Sequence, residues 1–138
     1  MITEKSCGAI VYTKDRGRIE YVIIRSKEGI YGFPKGHIED AESEAETALR
    51  EVWEETGLTV RLIHGFRTED TYTFIRNGET RVKQVVYFLG AYSNQRLTPQ
   101  EEEISSIHLM DCDRAAAVLQ FENTKRLLRQ AHRFLMQQ

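Results

Sequence analysis

Between residues 39 and 55 the chain gathers Glu39, Asp40, Glu42, Glu44, Glu46, Glu51, Glu54 and Glu55 around a single Arg50. A Glu-rich stretch is ordinarily a solvated helix face. The spacing here argues for more. At about 100° per residue from Glu51, Glu54 falls near about 300°, Glu55 near about 40° and Glu44 near about 20°. Ala45, Ala48, Leu49 and Val52 fall between about 60° and about 160°, so the acids line the edge of an apolar stripe. Like charges three and four residues apart repel each other, and a bound cation would offset that cost. Carboxylate oxygens in this arrangement suit Mg2+, a hard ion that keeps waters and shares its sphere with substrate phosphates. Mn2+ is the alternative ion. Arg50 lies within one turn of both Glu46 and Glu54, where it either holds carboxylates for the metal or makes an inexpensive surface ion pair.

The elements around this stripe can be read from caps and periodicity. Ser43 and Glu46 form a capping box, and Thr56-Gly57 is a C-terminal stop, which predicts a helix between them. Ahead of it lies a loop from Glu28 to Ala41 with three glycines and Pro34. Cys7 to Thr13 and Tyr21 to Ile24 read as buried strands joined by a turn at Asp15-Arg16-Gly17. Leu58 to Phe66, Thr71 to Arg76 and Arg81 to Tyr92 read as further strands, with Asn77-Gly78 as a hairpin turn. Ile104 to Met110 is a last strand. Asp111 and Asn123 are the expected caps of two closing helices. The pattern predicts an α/β fold with a mixed sheet packed between helices.

Composition bounds the rest. The 138 residues predict one domain spanning 1–138. A net charge of -2 excludes a uniformly basic coat for nucleic acid. The longest apolar run, residues 85–92, is far short of a membrane span, and the N-terminus has no apolar leader. Cys7 and Cys112 make neither a disulfide framework nor a zinc site. A cytoplasmic protein without membrane attachment is expected, and the sequence leaves its oligomeric state open.

Gly36, then Glu42 after five residues, then Arg50-Glu51-Val52-Trp53-Glu54-Glu55-Thr56-Gly57-Leu58 after seven more, resembles the Nudix box over residues 36–58 without a substitution. The resemblance implies an α/β/α sandwich and a metal-dependent attack of water on a pyrophosphate linkage in a nucleoside diphosphate derivative. It implies metal binding by Glu51, Glu54 and Glu55 with the carbonyl of Gly36, and support of the loop by Glu42 and Arg50. In this family the general base is either a box Glu or one from a later loop. Here the later candidate is Glu103, in Glu101-Glu102-Glu103, which would also approach the metal. Its bland reading is a solvated acidic turn.

Gly32-Phe33-Pro34-Lys35-Gly36-His37 is most similar to the diadenosine tetraphosphate hydrolase branch, with Tyr31 where that branch commonly has Trp. Lys35 adds a cation for a longer phosphate chain, and His37 is a weaker candidate beside it. Tyr72, Lys83, Tyr87 and Phe134 fall at positions resembling those the branch uses for phosphate and adenine. Tyr87 and Tyr72 serve core packing equally well on their strands, and Phe134 serves equally well as an anchor of the last helix. The implied partner is a small nucleotide. The alternatives are an RNA 5′-pyrophosphate hydrolase, for which Arg61, Arg67, Arg76, Arg81 and Lys83 would form a basic path, and a pyrophosphatase of nucleoside triphosphates or nucleotide sugars. A non-catalytic nucleotide-sensing module belongs to a different class, and retention of Glu51, Glu54 and Glu55 argues against it.

Overall fold

The computed structural model describes residues 3–100 and 102–138. Strand β1 (Glu4–Thr13) is the axis of a mixed seven-stranded sheet. On one edge it runs parallel to β6 (Glu79–Ala91), which pairs antiparallel with the outermost strand, β5 (Arg61–Arg76). Its other edge divides. The C-terminal end pairs with β2 (Glu20–Ser26), which carries β3 (Tyr31–Gly32) and β7 (Ile104–Met110). The N-terminal half pairs instead with β4 (Lys35–His37), placing Cys7 beside Gly36 and Gly8 beside Lys35.

Alternation along β1 sorts the two faces. Ala9 and Val11 bury against Val22, Leu58, Val60 and Val52 of α1 (Glu44–Thr56), with Cys7, Val86 and Ala48 of the same helix in a neighbouring cluster. Ile10 and Tyr12 bury on the opposite face with Tyr21, Ile23, Leu89, Leu127 and Leu128. Helices α2 (Cys112–Val118) and α3 (Glu122–Met136) cover that face. This is an α/β/α sandwich, as the sequence pattern predicts.

Several boundaries differ from the expectations. Leu58 to Phe66 and Thr71 to Arg76 are not two strands, because β5 continues through a register shift between Leu62 and Arg67, where Gly65 takes φ 91°. Asn77 and Gly78 both have positive φ, 52° and 77°, the conformation a two-residue type I′ hairpin requires. Asp111 caps α2, accepting from the Arg114 N–H at 2.9 Å. Asn123 does not cap α3. The cap position is Phe121, without a side-chain hydrogen bond, and Asn123 instead donates to Asp70 of β5 at 3.0 Å. The buried face of α1 is also rotated from the predicted stripe. Leu49 is exposed, whereas Thr47, Ala48, Glu51, Val52, Glu55 and Thr56 are buried. Two carboxylates thus belong to the face that meets the sheet.

Candidate active site

Two glycines let the loop of β4 close on the helix. A Cβ on Gly8 would overlap the Pro34 carbonyl, which accepts from the Ala9 N–H at 3.1 Å. A Cβ on Gly36 would overlap the Glu51 carboxylate. The box glycine thus leaves the room that the Glu51 carboxylate occupies, and a side chain there would push that carboxylate aside.

Arg50 fastens the same junction. Its Nε and Nη2 donate to Glu42 at 2.6 and 3.0 Å, a two-pronged contact suited to a planar guanidinium. Nη2 also donates to the His37 carbonyl at 2.9 Å. Nη1 donates to Glu51 at 2.9 Å and to both oxygens of Glu54 at 3.1 and 3.2 Å. Glu46, which the sequence puts within reach, is engaged in the capping box with Ser43. Glu42 further accepts from the Glu39 N–H and the Thr47 hydroxyl, at 3.0 and 2.9 Å. Hydrogen bonds from Arg50, then from the Glu39 N–H, hold the Glu42 carboxyl down at about 2. Glu44 leaves the acidic stripe in another direction. Arg67 grips it at 2.9 Å through two nitrogens and Lys5 lies at 2.6 Å, which also lowers its pKa to about 2.

Glu55 is 4% exposed and reaches the wall of a cavity of about 620 Å³. Lys35, Tyr72, Tyr87 and Glu103 line the same cavity, so five predicted site residues from five segments meet there. Burial, followed by the charges of Tyr72, Asp70 and Glu55, raises the pKa of the Tyr87 hydroxyl, and the Tyr87 ring packs edge-on against Phe33. Lys83 stands outside the lining but close to it: burial and then the charge of Lys35 lower its pKa. His37 is exposed, and its carbonyl serves Arg50. The backbone carbonyl of Glu103 accepts from the Lys27 N–H at 3.0 Å, fixing that turn against β2. Glu101, its companion in the acidic triplet, lies outside the described residues.

Phe134 is placed elsewhere, with its ring edge-on to Phe66 at 5.4 Å, away from the cavity lining. The aromatic that does line the cavity from the last helix is Phe121, 54% exposed, in the same lining as the 39% exposed Tyr72. Its only signal in the sequence is a lone aromatic where a helix cap would normally be polar. Asp70, held by Asn123, is a second lining residue that pattern reading misses.

Among the described residues no three carboxylate, His or Cys side chains converge at ligand distance. Glu51 and Glu54 turn to Arg50 instead. The donor set nevertheless fits a hard divalent ion: Glu51, Glu54 and Glu55 lie within little more than one helical turn, all offering oxygen, with the side-chain-free Gly36 against Glu51. The cavity lining also carries Glu28, Asp70 and Glu103 beside Glu55, against the one cation Lys35. An anionic ligand would enter such a cavity only with cations.

A family model described as "NUDIX domain" matches residues 3–131. The chain is 30% identical over 143 residues to bis(5'-nucleosyl)-tetraphosphatase [asymmetrical] of Rattus norvegicus, with 95% of each chain covered. A solved C. elegans Ap4A hydrolase binary complex superposes with TM-score 0.84 at 23% identity, covering 99% of this chain and 100% of that one. The NUDIX domain of Shewanella oneidensis NrtR, solved with ADP ribose, gives 0.76 at 17% identity over 98% and 90%.

The depressed pKa of Glu42 has a consequence for stability. A carboxyl lowered in the native state contributes stability that is fully present above its ordinary 4.5 and is lost as pH falls toward about 2. Glu42→Gln is expected to melt at lower temperature than wild type at neutral pH, and to lose less on acidification through that window. Thermal melts of both proteins across the window check this. Glu44 titrates in both, so the difference isolates Glu42, and equal slopes would contradict the assignment.

Proposed function

The chain belongs to the Nudix family, and from that premise we propose that it cleaves diadenosine tetraphosphate asymmetrically, to ATP and AMP. That it is a Nudix pyrophosphohydrolase is given by the family. The substrate is our reading. One observation carries it: a single cavity combines the helix carboxylate Glu55 and the loop carboxylate Glu103 with Lys35 and the exposed rings of Tyr72 and Phe121. A polyphosphate needs the charged part and a purine needs the rings, since stacking accepts any purine face. The rat relative aligned along nearly the whole chain supports the choice by its name.

Nudix hydrolases generally use divalent metal ions; we propose Mg2+, with Mn2+ as a substitute. Glu51, Glu54 and Glu55, with the Gly36 carbonyl, are the residues that would hold it. Bound there, the ion supplies neutralisation of phosphate charge and an acidified water. The remaining work belongs to the chain. Arg50 and Glu42 keep the loop against the helix, so Glu51 and Glu54 stay in place. Lys35, with Lys83 behind it, attracts the phosphate chain. Tyr72 and Phe121 orient the base at the cavity mouth. Glu103 accepts the proton of the attacking water at its carboxylate, because a carboxylate engaged by a cation is a poor acceptor.

Of the basic path that an RNA 5′ end would use, Arg76, Arg81 and Lys83 share the β5–β6 hairpin, but the other two members do not join them. Arg67 is tied to Glu44 and Glu69, while Arg61 borders a groove with Tyr12 and Tyr92, outside the cavity of Glu55. No helix among the described residues is long and apolar enough to cross a membrane.

A panel of nucleotides with magnesium, read by product identity, tests the substrate: ATP and AMP in equal amounts are expected. Two ADP, or turnover of triphosphorylated RNA with none of the dinucleotide, would contradict it. Glu55→Gln is expected to fold and to lose hydrolysis, on the order of a thousandfold or more. Glu103→Gln should lower kcat by about a hundredfold with little change in KM. Glu102→Gln should be near neutral, and equal small effects at 102 and 103 would return the role of base to a box Glu.

A further inference from the structure

The wall of the cavity does not end at its mouth. Asp70, Tyr72, Phe74 and Arg76 alternate onto one face of β5, with Val85, Lys83, Arg81 and Glu79 opposite them on β6. Asp70, Tyr72 and Val85 line the cavity. Phe74 and Arg81 are the next pair outward on the same face. The Phe74 ring lies 6.3 Å from Tyr72, and the Arg76 guanidinium sits 5.1 Å over it. Arg76 is itself held by Glu4 at 2.9 Å.

This face is not part of the core. From residue 71 to 84 no residue is buried, and β5 is the outermost strand, so Phe74 contributes little to packing. Arg81 is the more telling residue. Its Nε is buried without a hydrogen-bond partner, one of two such side-chain atoms among the described residues, the other being Ser6 Oγ. A half-buried guanidinium with an unmatched donor is unfavourable in the free protein and is satisfied when an anion arrives. Lys83, between Arg81 and the cavity on the same face, continues the row of cations.

We propose that this outer face of the β5–β6 hairpin is a subsite for the second nucleoside of a dinucleoside polyphosphate. Its base lies on Phe74 beside Arg76, and Arg81 takes the phosphate that leads to it. The inference rests on the substrate class proposed above, and it goes further by assigning the half of the ligand that the cavity does not hold.

Binding separates the two questions. Dissociation constants are measured with Ca2+ in place of Mg2+, so that the phosphates enter with cations while the larger, loosely coordinated ion suppresses turnover. The ligands are diadenosine tetraphosphate and adenosine 5′-tetraphosphate, which lacks the second nucleoside. Wild type should bind the dinucleotide more tightly, on the order of tenfold, the scale of one stacked base. Phe74→Ala should erase that preference without weakening the mononucleotide, and Phe74→Tyr should retain it. Arg81→Gln should weaken both ligands. Equal affinities in wild type, an equal loss for both ligands in Phe74→Ala, or a preserved preference in that variant would each overturn the subsite. So would a triphosphorylated oligoribonucleotide that binds more tightly than the dinucleotide and depends on Phe74. If instead hydrolysis yields no ATP and AMP, the functional reading fails while this comparison still decides the subsite.

Discussion

Several carboxylates on one helix repel one another, and this helix buries two of them against the sheet. The Arg50 guanidinium makes that arrangement tenable. It spends five donors across Glu42, Glu51, Glu54 and the His37 carbonyl, so the loop before the helix and the second half of the helix share one cation. Such charge-assisted contacts are stronger than neutral ones and carry direction. Gly36 completes the junction from the other side, since any side chain there would displace Glu51. The chemistry proposed for Glu55 depends on this fastening, because it sets the loop of Lys35 against the helix of Glu55.

The sheet does the rest by bringing remote segments to one edge. Pairing of β1 with both β4 and β6 sets Lys35 near Lys83 and Tyr87, although roughly fifty residues separate them in sequence. The β2–β7 pair presents Glu103 at its start, and the Asn123–Asp70 contact draws the beginning of α3 onto β5, so that Phe121 and Tyr72 line one cavity. Helix α3 forgoes a side-chain cap at that end. The tether to Asp70 takes its place in fixing the helix start.

Much of this was legible in the sequence where the signal is local. The capping box of Ser43 and Glu46, the Gly57 stop and the Asn77-Gly78 turn each follow from short-range backbone chemistry, and each is present. The caps and spacing of the acidic stretch mark the helix itself, Glu44–Thr56. Features set by tertiary packing were not legible. Leu49 reads as core by periodicity, yet the helix rolls so that Glu51 and Glu55 face inward and Leu49 outward. Phe134 and Phe121 are both aromatic and both near the last helix. Only contact with Phe66 assigns the first to packing, and only the position of the α2–α3 turn gives the second to the cavity. Asn123 suits a cap by type, but a long-range partner in β5 claims it.

The account turns on Arg50 as an organiser of carboxylates, and Mn2+ binding to Arg50→Met tests that directly. Simple electrostatics says that removing a cation from an acidic cluster should tighten the ion's binding. If Arg50 instead positions Glu51 and Glu54, the loss of orientation dominates, and affinity should fall on the order of tenfold or more although the site has become more negative. Titration of wild type and variant with Mn2+, followed by electron paramagnetic resonance, gives both constants. Weaker binding by the variant is the predicted result; equal or tighter binding would contradict the account.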